Sequence, residues 1–445
     1  MSAPVAVSVP AATRWSLATR IAFRFSVTYF TLYVLFGQML GSMTLASWTP
    51  ALRTSWPMRD LVLATARRVF HVDQELVIFS GSGDKIYDWV QAAILLTAAA
   101  TITLLWSVLD RRRPAYAGLH KWSYVFVRFA LGATMTLYGS IKLVPLQMPF
   151  PPLLRLIEPY GNFSPMGVLW YSIGASPAYE MFTGGVELLA AILLFIPATS
   201  LAGVLIALAA TTQVFVLNMT YDVPVKLFSF HLILMSLFLL APEARRLLNV
   251  IVLNRPAPPS SRPPLARRVW IRRTLVGLQL VWGAYLVGFG LQRSITQWYA
   301  GAGAPQPPFY GIWTVEEMTV DGQRLPPLLT DPVRWRRVIV NSGSTMALQR
   351  MDESLTLQIA KVDPAKRTIA MTPAPPLAPG MPPAAFPRSA DSGTFTFTEP
   401  ETDVLMLDGE LAGRKVQARL KRYDLNQYLL MTRGFHWVQE YPFNR

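Results

Sequence analysis

Long stretches with few charged residues recur along this sequence, and they constrain its fold more than any other feature. Each is close to the roughly 20 apolar residues that a helix needs to cross the hydrocarbon core of a bilayer. Inside lipid the backbone polar groups must find partners within the chain, which favours helices. The sequence therefore predicts about seven membrane helices, at residues 21–46, 87–109, 122–144, 178–196, 200–217, 225–241 and 269–291.

Composition agrees with this interpretation and excludes several chemistries. Hydrophobic residues make up 52% of the chain and charged residues only 15%, whereas soluble domains have about 25% charged residues. The chain has no cysteine, which excludes iron–sulfur clusters and covalently attached haem. The net charge of +15 lies mainly in short segments beside the apolar stretches. It therefore indicates membrane orientation and not nucleic-acid binding.

Basic residues cluster before the first predicted span, between the second and third, and between the sixth and seventh. Cytoplasmic loops of membrane proteins are enriched in Lys and Arg, and all three clusters fall on one side of a seven-span chain. The sequence therefore predicts a multi-pass protein of the cell inner (plasma) membrane, with the lipid bilayer as its first partner. Its N-terminus is predicted to be cytoplasmic and its C-terminal domain extracytoplasmic.

The membrane part divides into three predicted regions. Residues 1–253 are expected to form a six-helix membrane domain, residues 254–268 a Pro-rich cytoplasmic linker, and residues 269–291 the seventh span. Pro-rich segments of this kind are extended and semi-rigid. In the outer loop at residues 145–177, the apolar stretches 153–157 and 166–170 are predicted to lie flat in the membrane interface.

A soluble, extracytoplasmic β-rich domain is predicted at residues 300–445. Apolar residues alternate there with polar ones, as at Leu355, Leu357 and Ile359, and Asp-Gly turn signals separate the runs. This pattern is typical of short antiparallel strands. The predicted fold class is therefore an α-helical polytopic membrane bundle followed by a small all-β domain, either lipocalin-like or a sandwich.

Ionisable and polar residues inside the predicted spans are the candidate functional residues. A charge at the centre of a membrane helix costs roughly 2.5–3.5 kcal/mol on insertion scales, so such side chains are expected to face the bundle interior and to pair. The candidates for proton transfer are Lys142, Glu187, Asp222 and Lys226, and the candidates for binding are Arg128, Glu180, Asn218 and His231.

Two arrangements of these residues stay open. By the predicted orientation, Lys142, Glu180, Asp222 and Lys226 all lie toward the outer leaflet, which predicts a shared polar pocket that opens outward. The alternative is simple charge pairing, of Lys142 with Glu187 and of Asp222 with Lys226, which would lock the helices together.

The surroundings of four candidates depend on where they lie along a helix. Asn218, Asp222 and Lys226 have i,i+4 spacing and would share one helix face, unless Pro224 breaks the helix there. Arg128 lies near the inner end of its span, where its long side chain can reach the membrane interface.

The third and fourth predicted spans carry a recognisable combination of residues. Arg128 is followed by Gly132, the span ends with Gly139-Ser140-Ile141-Lys142-Leu143, and the next span has Glu187 followed by small and apolar residues. An Arg, a following Gly, a Gly-x-x-Lys-Leu ending and an intramembrane Glu resemble the DoxX-like family of membrane proteins. The resemblance covers residues 122–241, as a four-helix unit within the membrane domain.

The resemblance implies a function as well as a fold. DoxX-like proteins have been linked to quinone-dependent oxidation of sulfur compounds and to membrane oxidoreductase complexes, although many members have no assigned activity. It therefore implies a membrane redox component that handles quinone or another lipid-linked substrate. The positions that carry over are Arg128, Lys142 and Glu187, and the family motif does not include Asp222, Lys226 and His231.

Two other functions stay open beside the redox interpretation. The chain is alternatively a non-enzymatic scaffold or assembly factor, which binds a periplasmic protein through its β domain, or a transporter. As a redox component it needs a redox partner protein or a bound cofactor to supply electrons, because its four histidines form no metal-binding motif.

Overall fold

The computed structural model describes residues 14–37, 39–44, 52–260, 264–342, 344–373 and 386–444. The chain forms two compact units. The first is helical and contains the chain up to Gln147 together with Ala178–Trp298. The second contains Met148–Pro177 and the chain from Tyr299 onward, and it is built around a β-barrel.

Helices make up the first unit and also contribute short segments to the second. In chain order the helices are α1 Leu17–Phe36, α2 Met39–Thr44, α3 Met58–Arg68, α4 Ile86–Leu109, α5 Ala117–Leu143, α6 Leu153–Leu156, α7 Pro165–Gly174, α8 Pro177–Phe195, α9 Ser200–Thr220, α10 Lys226–Leu240, α11 Ala244–Leu247, α12 Val269–Ala300 and α13 Leu429–Thr432. The segments α6, α7 and α13 belong to the second unit.

Five helical segments in the described chain are long and apolar enough to cross a membrane. They are α4, α8, α9, α12 and the continuous segment Lys226–Val252, which begins with α10. The first and third predicted spans are also helical, as α1 and α5, but Arg20 and Arg24 in α1 and Arg128 in α5 lower the mean hydropathy of these helices. The helical bundle is thus as predicted, and the count of seven spans stays a prediction.

The predicted spans two to six coincide with α4, α5, α8, α9 and α10 within a few residues. The prediction of one continuous helix at residues 21–46 for the first span is wrong. The helix α1 ends at Phe36 because Gly37 has extended backbone angles (φ −86°, ψ −156°), and α2 begins at Met39. The helix predicted as the seventh span is longer than expected, because α12 continues to Ala300. The described residues of the linker, 254–260 and 264–268, form neither helix nor strand.

Glycines bring α12 close to α5 and α8. A Cβ atom built on Gly290 would lie 2.9 Å from Ser140 Oγ of α5, and one built on Gly283 would lie 2.6 Å from Phe195 Cβ of α8. Earlier in both helices, Arg128 of α5 donates a hydrogen bond to Gln279 of α12. Because Arg128 precedes Ser140 and Gln279 precedes Gly290, the two contacts follow the same order along both helices, and α5 and α12 run parallel.

The second unit is a closed antiparallel barrel. Its strands are β1 Gly311–Val320, β2 Gln323–Arg324, β3 Trp335–Ser342, β4 Thr345–Arg350, β5 Leu355–Asp363, β6 Thr368–Thr372, β7 Gly393–Glu401, β8 Val404–Leu411 and β9 Arg414–Arg422. Neighbouring strands pair in the order β1-β3-β4-β5-β6-β7-β8-β9, and β1 also pairs with β9. Eight strands therefore close into an antiparallel barrel and not a sandwich, whereas the lipocalin-like type stays a prediction. The two-residue β2 pairs with the end of β1.

Inward side chains fill the barrel as one apolar cluster. Trp313 of β1, Phe395 and Phe397 of β7 and Leu420 of β9 are buried there. The Trp313 ring nitrogen donates to Phe309 O at 2.9 Å, so its polar atom is satisfied at the end of the cluster.

The barrel has a second apolar surface on its outside. Leu355 and Leu357 of β5, which gave the alternating pattern in the sequence, belong to this outer cluster and not to the barrel interior. They pack with Leu153 of α6, whose backbone N donates to Asn341 Oδ1 of β3 at 3.1 Å. The stretch 153–157 therefore covers a face of the barrel, because β3, β4 and β5 offer it apolar surface. Its location at the membrane interface stays a prediction.

Leu153→Ala is expected to destabilise the barrel. Leu153 is 1% exposed, and burying such a side chain contributes about 2–5 kcal/mol relative to alanine. Hydrogen–deuterium exchange of the full-length protein in detergent should show faster exchange in β3, β4 and β5. Leu329, which is 71% exposed, provides the matched control, and Leu329→Ala should leave these strands protected. Equal exchange in both variants would contradict the outer cluster.

Candidate functional site

The helices α5 and α8 cross in close contact through two glycines. A Cβ atom built on Gly184 would lie 2.3 Å from Leu143 N, and one built on Gly139 would lie 2.7 Å from Leu188 N. Any side chain at these positions would collide with backbone. Small residues are the usual means by which membrane helices approach so closely, and here they set the register between α5 and α8.

This crossing brings two of the predicted site residues together. Lys142 follows Gly139 by three residues and Glu187 follows Gly184 by three, so each lies on the same helix face as its glycine. Lys142 Nζ forms an ion pair with Glu187 Oε1, and the two side chains are 8% and 7% exposed. Glu187 Oε2 is buried and has no hydrogen-bond partner in the described chain.

Such a pair is costly to bury and chemically versatile. Two charges removed from water stay ionised only when they compensate each other. A carboxylate and an ammonium group in contact can also exchange a proton and hold it at a defined position for a third group. The second carboxylate oxygen, Glu187 Oε2, is the atom on this pair that is available to accept a hydrogen bond.

Glu180 lies two turns before Glu187 on α8 and is fully buried. Its Oε1 accepts a hydrogen bond from Gln147 N, just beyond the end of α5, at 3.1 Å. Both acidic residues of α8 therefore contact α5 or the residues that follow it.

Asp222 and Lys226 pair locally, between α9 and α10. The chain is not helical at residues 221–225, as the predicted break at Pro224 requires, so Asn218 and Lys226 do not share one continuous helix. Lys226 Nζ lies 2.8 Å from Asp222 Oδ1. Because the Asp222 side chain is 84% exposed, this pair contributes little to stability.

The break is supported by Asp84, which sequence reasoning did not select. Its two carboxylate oxygens accept hydrogen bonds from Lys226 N at 2.8 Å and Leu227 N at 2.9 Å. The carbonyl of Pro224 accepts a hydrogen bond from Gly83 N at 2.7 Å. Asp84 thus caps the start of α10 from a distant part of the chain.

Asn218 and His231 make separate polar contacts within the bundle. Asn218 Nδ2 donates to Ser229 Oγ at 3.0 Å, which joins α9 to α10. His231 Nε2 lies 2.6 Å from Tyr29 Oη. The His231 ring also stacks on the Tyr33 ring, with the ring centres 3.8 Å apart. The i,i+4 spacing of Tyr29 and Tyr33 in the first span is the sequence signal for this contact.

Arg128 is buried, which corrects the prediction that its side chain extends to the membrane interface. It is 2% exposed and donates from Nη2 to Gln279 Oε1 of α12. Gln279 in turn donates from Nε2 to Leu275 O at 2.8 Å. The signal that could have identified Gln279 is the one that selected Asn218, namely a polar side chain inside a predicted span.

The eight predicted residues therefore form several small groups. Lys142 and Glu187 pair with each other, and in the described ranges neither forms an ion pair or hydrogen bond with any of the other six residues. Both pairs of the charge-pairing alternative, Lys142–Glu187 and Asp222–Lys226, are present. The described residues include no cluster of three or more His, Cys, Asp or Glu side chains that could hold a metal ion.

Comparison with known proteins finds a relative of unknown function. The chain is similar to the uncharacterized protein YwoB of Bacillus subtilis (strain 168), with 33% identity over 100 residues. The similarity covers 22% of this chain and 63% of that protein. No protein-family model matches the chain, and no solved structure matches it.

Gly184→Ala is expected to destabilise the helical unit, because the new methyl group would collide with the backbone of Leu143. Overpacking of this kind costs about 1–3 kcal/mol. A Cβ atom built on the neighbouring Gly185 would meet nothing within 4 Å, so Gly185→Ala is the matched control. Thermal unfolding in detergent should show a lower midpoint for Gly184→Ala alone. An unchanged midpoint in both variants would contradict the close crossing of α5 and α8.

Proposed function

We propose that this chain is a seven-span protein of the cell inner (plasma) membrane that transfers protons to a lipid-soluble, quinone-class substrate through Lys142 and Glu187. The observation that carries the proposal is their buried ion pair, in which Glu187 Oε2 has no hydrogen-bond partner among the described residues. Charged residues in spans are costly and commonly mark proton or substrate pathways.

The proposed topology places the N-terminus in the cytoplasm and the barrel outside. Two observations support it. The helices α5 and α12 run parallel, as the third and seventh spans of a seven-span chain must. The segments before α5 and before α12 are rich in Arg, and Arg14, Arg20 and Arg24 lie just before or in the first turns of α1, which is typical of cytoplasmic membrane boundaries.

Single-cysteine labelling tests this topology directly, because the natural chain has no cysteine. Thr398→Cys in β7 and Gly118→Cys at the start of α5 are both at exposed positions. A membrane-impermeant maleimide should label Thr398→Cys in cells whose outer layers are permeable, and Gly118→Cys only after the inner membrane is opened. Labelling of both, or the opposite pattern, would overturn the proposed orientation.

The DoxX-like identity of residues 122–241 is part of the proposal. Its supporting observation is that two motif residues, Lys142 and Glu187, contact each other through the glycine crossing of α5 and α8. The third motif residue, Arg128, is buried in the same helix as Lys142.

The proposed chemistry uses the chain's own groups for protons only. A quinone becomes a quinol by gaining two electrons and two protons. In the proposal a reduced redox partner supplies the two electrons. The Lys142 ammonium group donates one proton to a substrate oxygen and becomes a neutral amine. Glu187 then accepts a proton from a water molecule at Oε2 and passes it to Lys142, which donates it as the second proton of the quinol. A further proton taken up from water through Glu187 restores the ion pair. Burial excludes bulk water, so the two side chains determine where the proton goes.

Glu187→Gln is expected to preserve the shape of the site and to abolish proton relay. The probe is a short-chain ubiquinone bound to the full-length protein in mild detergent, with dithionite as electron donor. The wild-type reduction rate should depend on pH. The Glu187→Gln rate should not depend on pH, and at the wild-type optimum it should be lower by roughly 10²-fold or more. Asp222→Asn, at an exposed pair, should behave as wild type.

A purely structural role for the pair predicts a different outcome. Removing one partner leaves a buried charge and costs about 3–5 kcal/mol, whereas an apolar replacement of both is often neutral. Lys142→Met with Glu187→Leu should therefore restore the unfolding midpoint that Lys142→Met alone lowers, without restoring pH-dependent reduction. A double variant with full wild-type reduction would overturn the proton-transfer role.

An assembly role is the second candidate, favoured by the chain after the barrel. Phe435, Trp437 and Tyr441 are more than three-quarters exposed, and exposed aromatic residues are enriched in protein interfaces. If the wild-type protein binds no short-chain ubiquinone, this second function becomes the better account of the chain.

A further inference from the structure

A cavity of about 360 Å³ lies in the first unit, between the first halves of α5 and α12. Small-molecule sites range over roughly 300–1,000 Å³, so the cavity has the volume of a ligand site. It is distinct from the Lys142–Glu187 pair, because Arg128 and Lys142 are separated by roughly 21 Å along α5 at 1.5 Å per residue.

One face of each helix lines this cavity. On α5 the lining residues Lys121, Val125 and Arg128 recur at helical spacing, and on α12 Arg272 and Gln279 do the same. Arg272 is exposed, whereas Arg128 and Gln279 are buried and hydrogen-bonded to each other. The cavity therefore extends from an exposed basic residue to a buried one, over about two turns of α12.

The charge of the lining is one-sided. Lys121, Arg128 and Arg272 are basic, and none of the described lining residues is acidic. The remaining lining is mainly apolar and includes Val125, Pro197 and Leu265, with Val276 on α12. A ligand that matches both parts carries a negative headgroup and an apolar body.

We propose that this cavity binds an anionic phospholipid, with the phosphate group held by Arg272 and Lys121 at the exposed end, the positive charge of Arg128 deeper in the cavity, and the apolar part against the apolar wall. Guanidinium groups bind phosphate oxygens in pairs, through two parallel hydrogen bonds. Basic pockets between membrane helices on the cytoplasmic side are typical sites for acidic lipid headgroups. A neutral quinone has no charge to pair with the basic side chains, and inorganic phosphate has no apolar part to contact the apolar wall.

The test compares two neighbouring arginines of α12. Arg272 lines the cavity, whereas Arg273 does not, and both are exposed. Each substitution to glutamine removes one positive charge from the same helical turn, and neither side chain belongs to the buried core. Native mass spectrometry of the full-length protein in mild detergent can count bound dihexanoyl phosphatidylglycerol, with dihexanoyl phosphatidylcholine and inorganic phosphate as the comparison probes.

The wild-type protein is expected to bind phosphatidylglycerol in preference to phosphatidylcholine, and inorganic phosphate should not displace it at equal concentration. Arg272→Gln should weaken binding of phosphatidylglycerol about tenfold, the effect of losing one charged hydrogen bond, whereas Arg273→Gln should bind as wild type. Equal binding of the two lipids, displacement by equal inorganic phosphate, or equal loss in both arginine variants would each overturn the proposal.

Discussion

The contact of α5 with α8 determines much of what the helical unit can do. Two backbones meet at Gly139 and Gly184 with no space for a side chain, and this fixes where the next turn of each helix lies. Lys142 and Glu187 are placed in contact as a consequence. Apolar helices have no hydrophobic reason to prefer one neighbour over another inside lipid, so close packing and polar contacts must specify the arrangement.

Other polar contacts specify the rest of the unit in the same way. His231 joins α10 to α1 through Tyr29, Asn218 joins α9 to α10, and Arg128 joins α5 to α12 through Gln279. Each is buried, and each links a different pair of helices. Polar residues distributed in this manner give a bundle a unique register, which apolar packing alone leaves less well defined.

The sequence predicts those features that depend on length and on the cost of charge. Five predicted spans end within a few residues of their helices, and Lys142 meets Glu187, because a buried charge needs an opposite one. It does not predict Asp84 as the cap of α10 or Gln279 as the partner of Arg128. Both partners lie more than a hundred residues away, and an uncharged glutamine or a loop aspartate produces no periodic signal.

The barrel shows a different limit of sequence reasoning. The alternation at Leu355 and Leu357 correctly indicates a strand, but it cannot tell which side of the sheet faces the interior. A pattern of period two shows that a strand has two faces, but it does not show which face points into the barrel. Leu355 and Leu357 can lie on the outer face of β5 because the apolar side chain of Leu153 in α6 packs against them there.

The position of α6 in the chain has a consequence for biosynthesis. Leu153 is synthesised roughly 160 residues before β1, which corresponds to about 8–30 s of elongation at about 5–20 residues per second. During that interval the apolar side chains of α6 have no strands to cover. The segment must wait in an environment that tolerates exposed leucines, such as the membrane surface or a chaperone, until the last third of the chain emerges. The barrel therefore matures only after every helix of the first unit has been made.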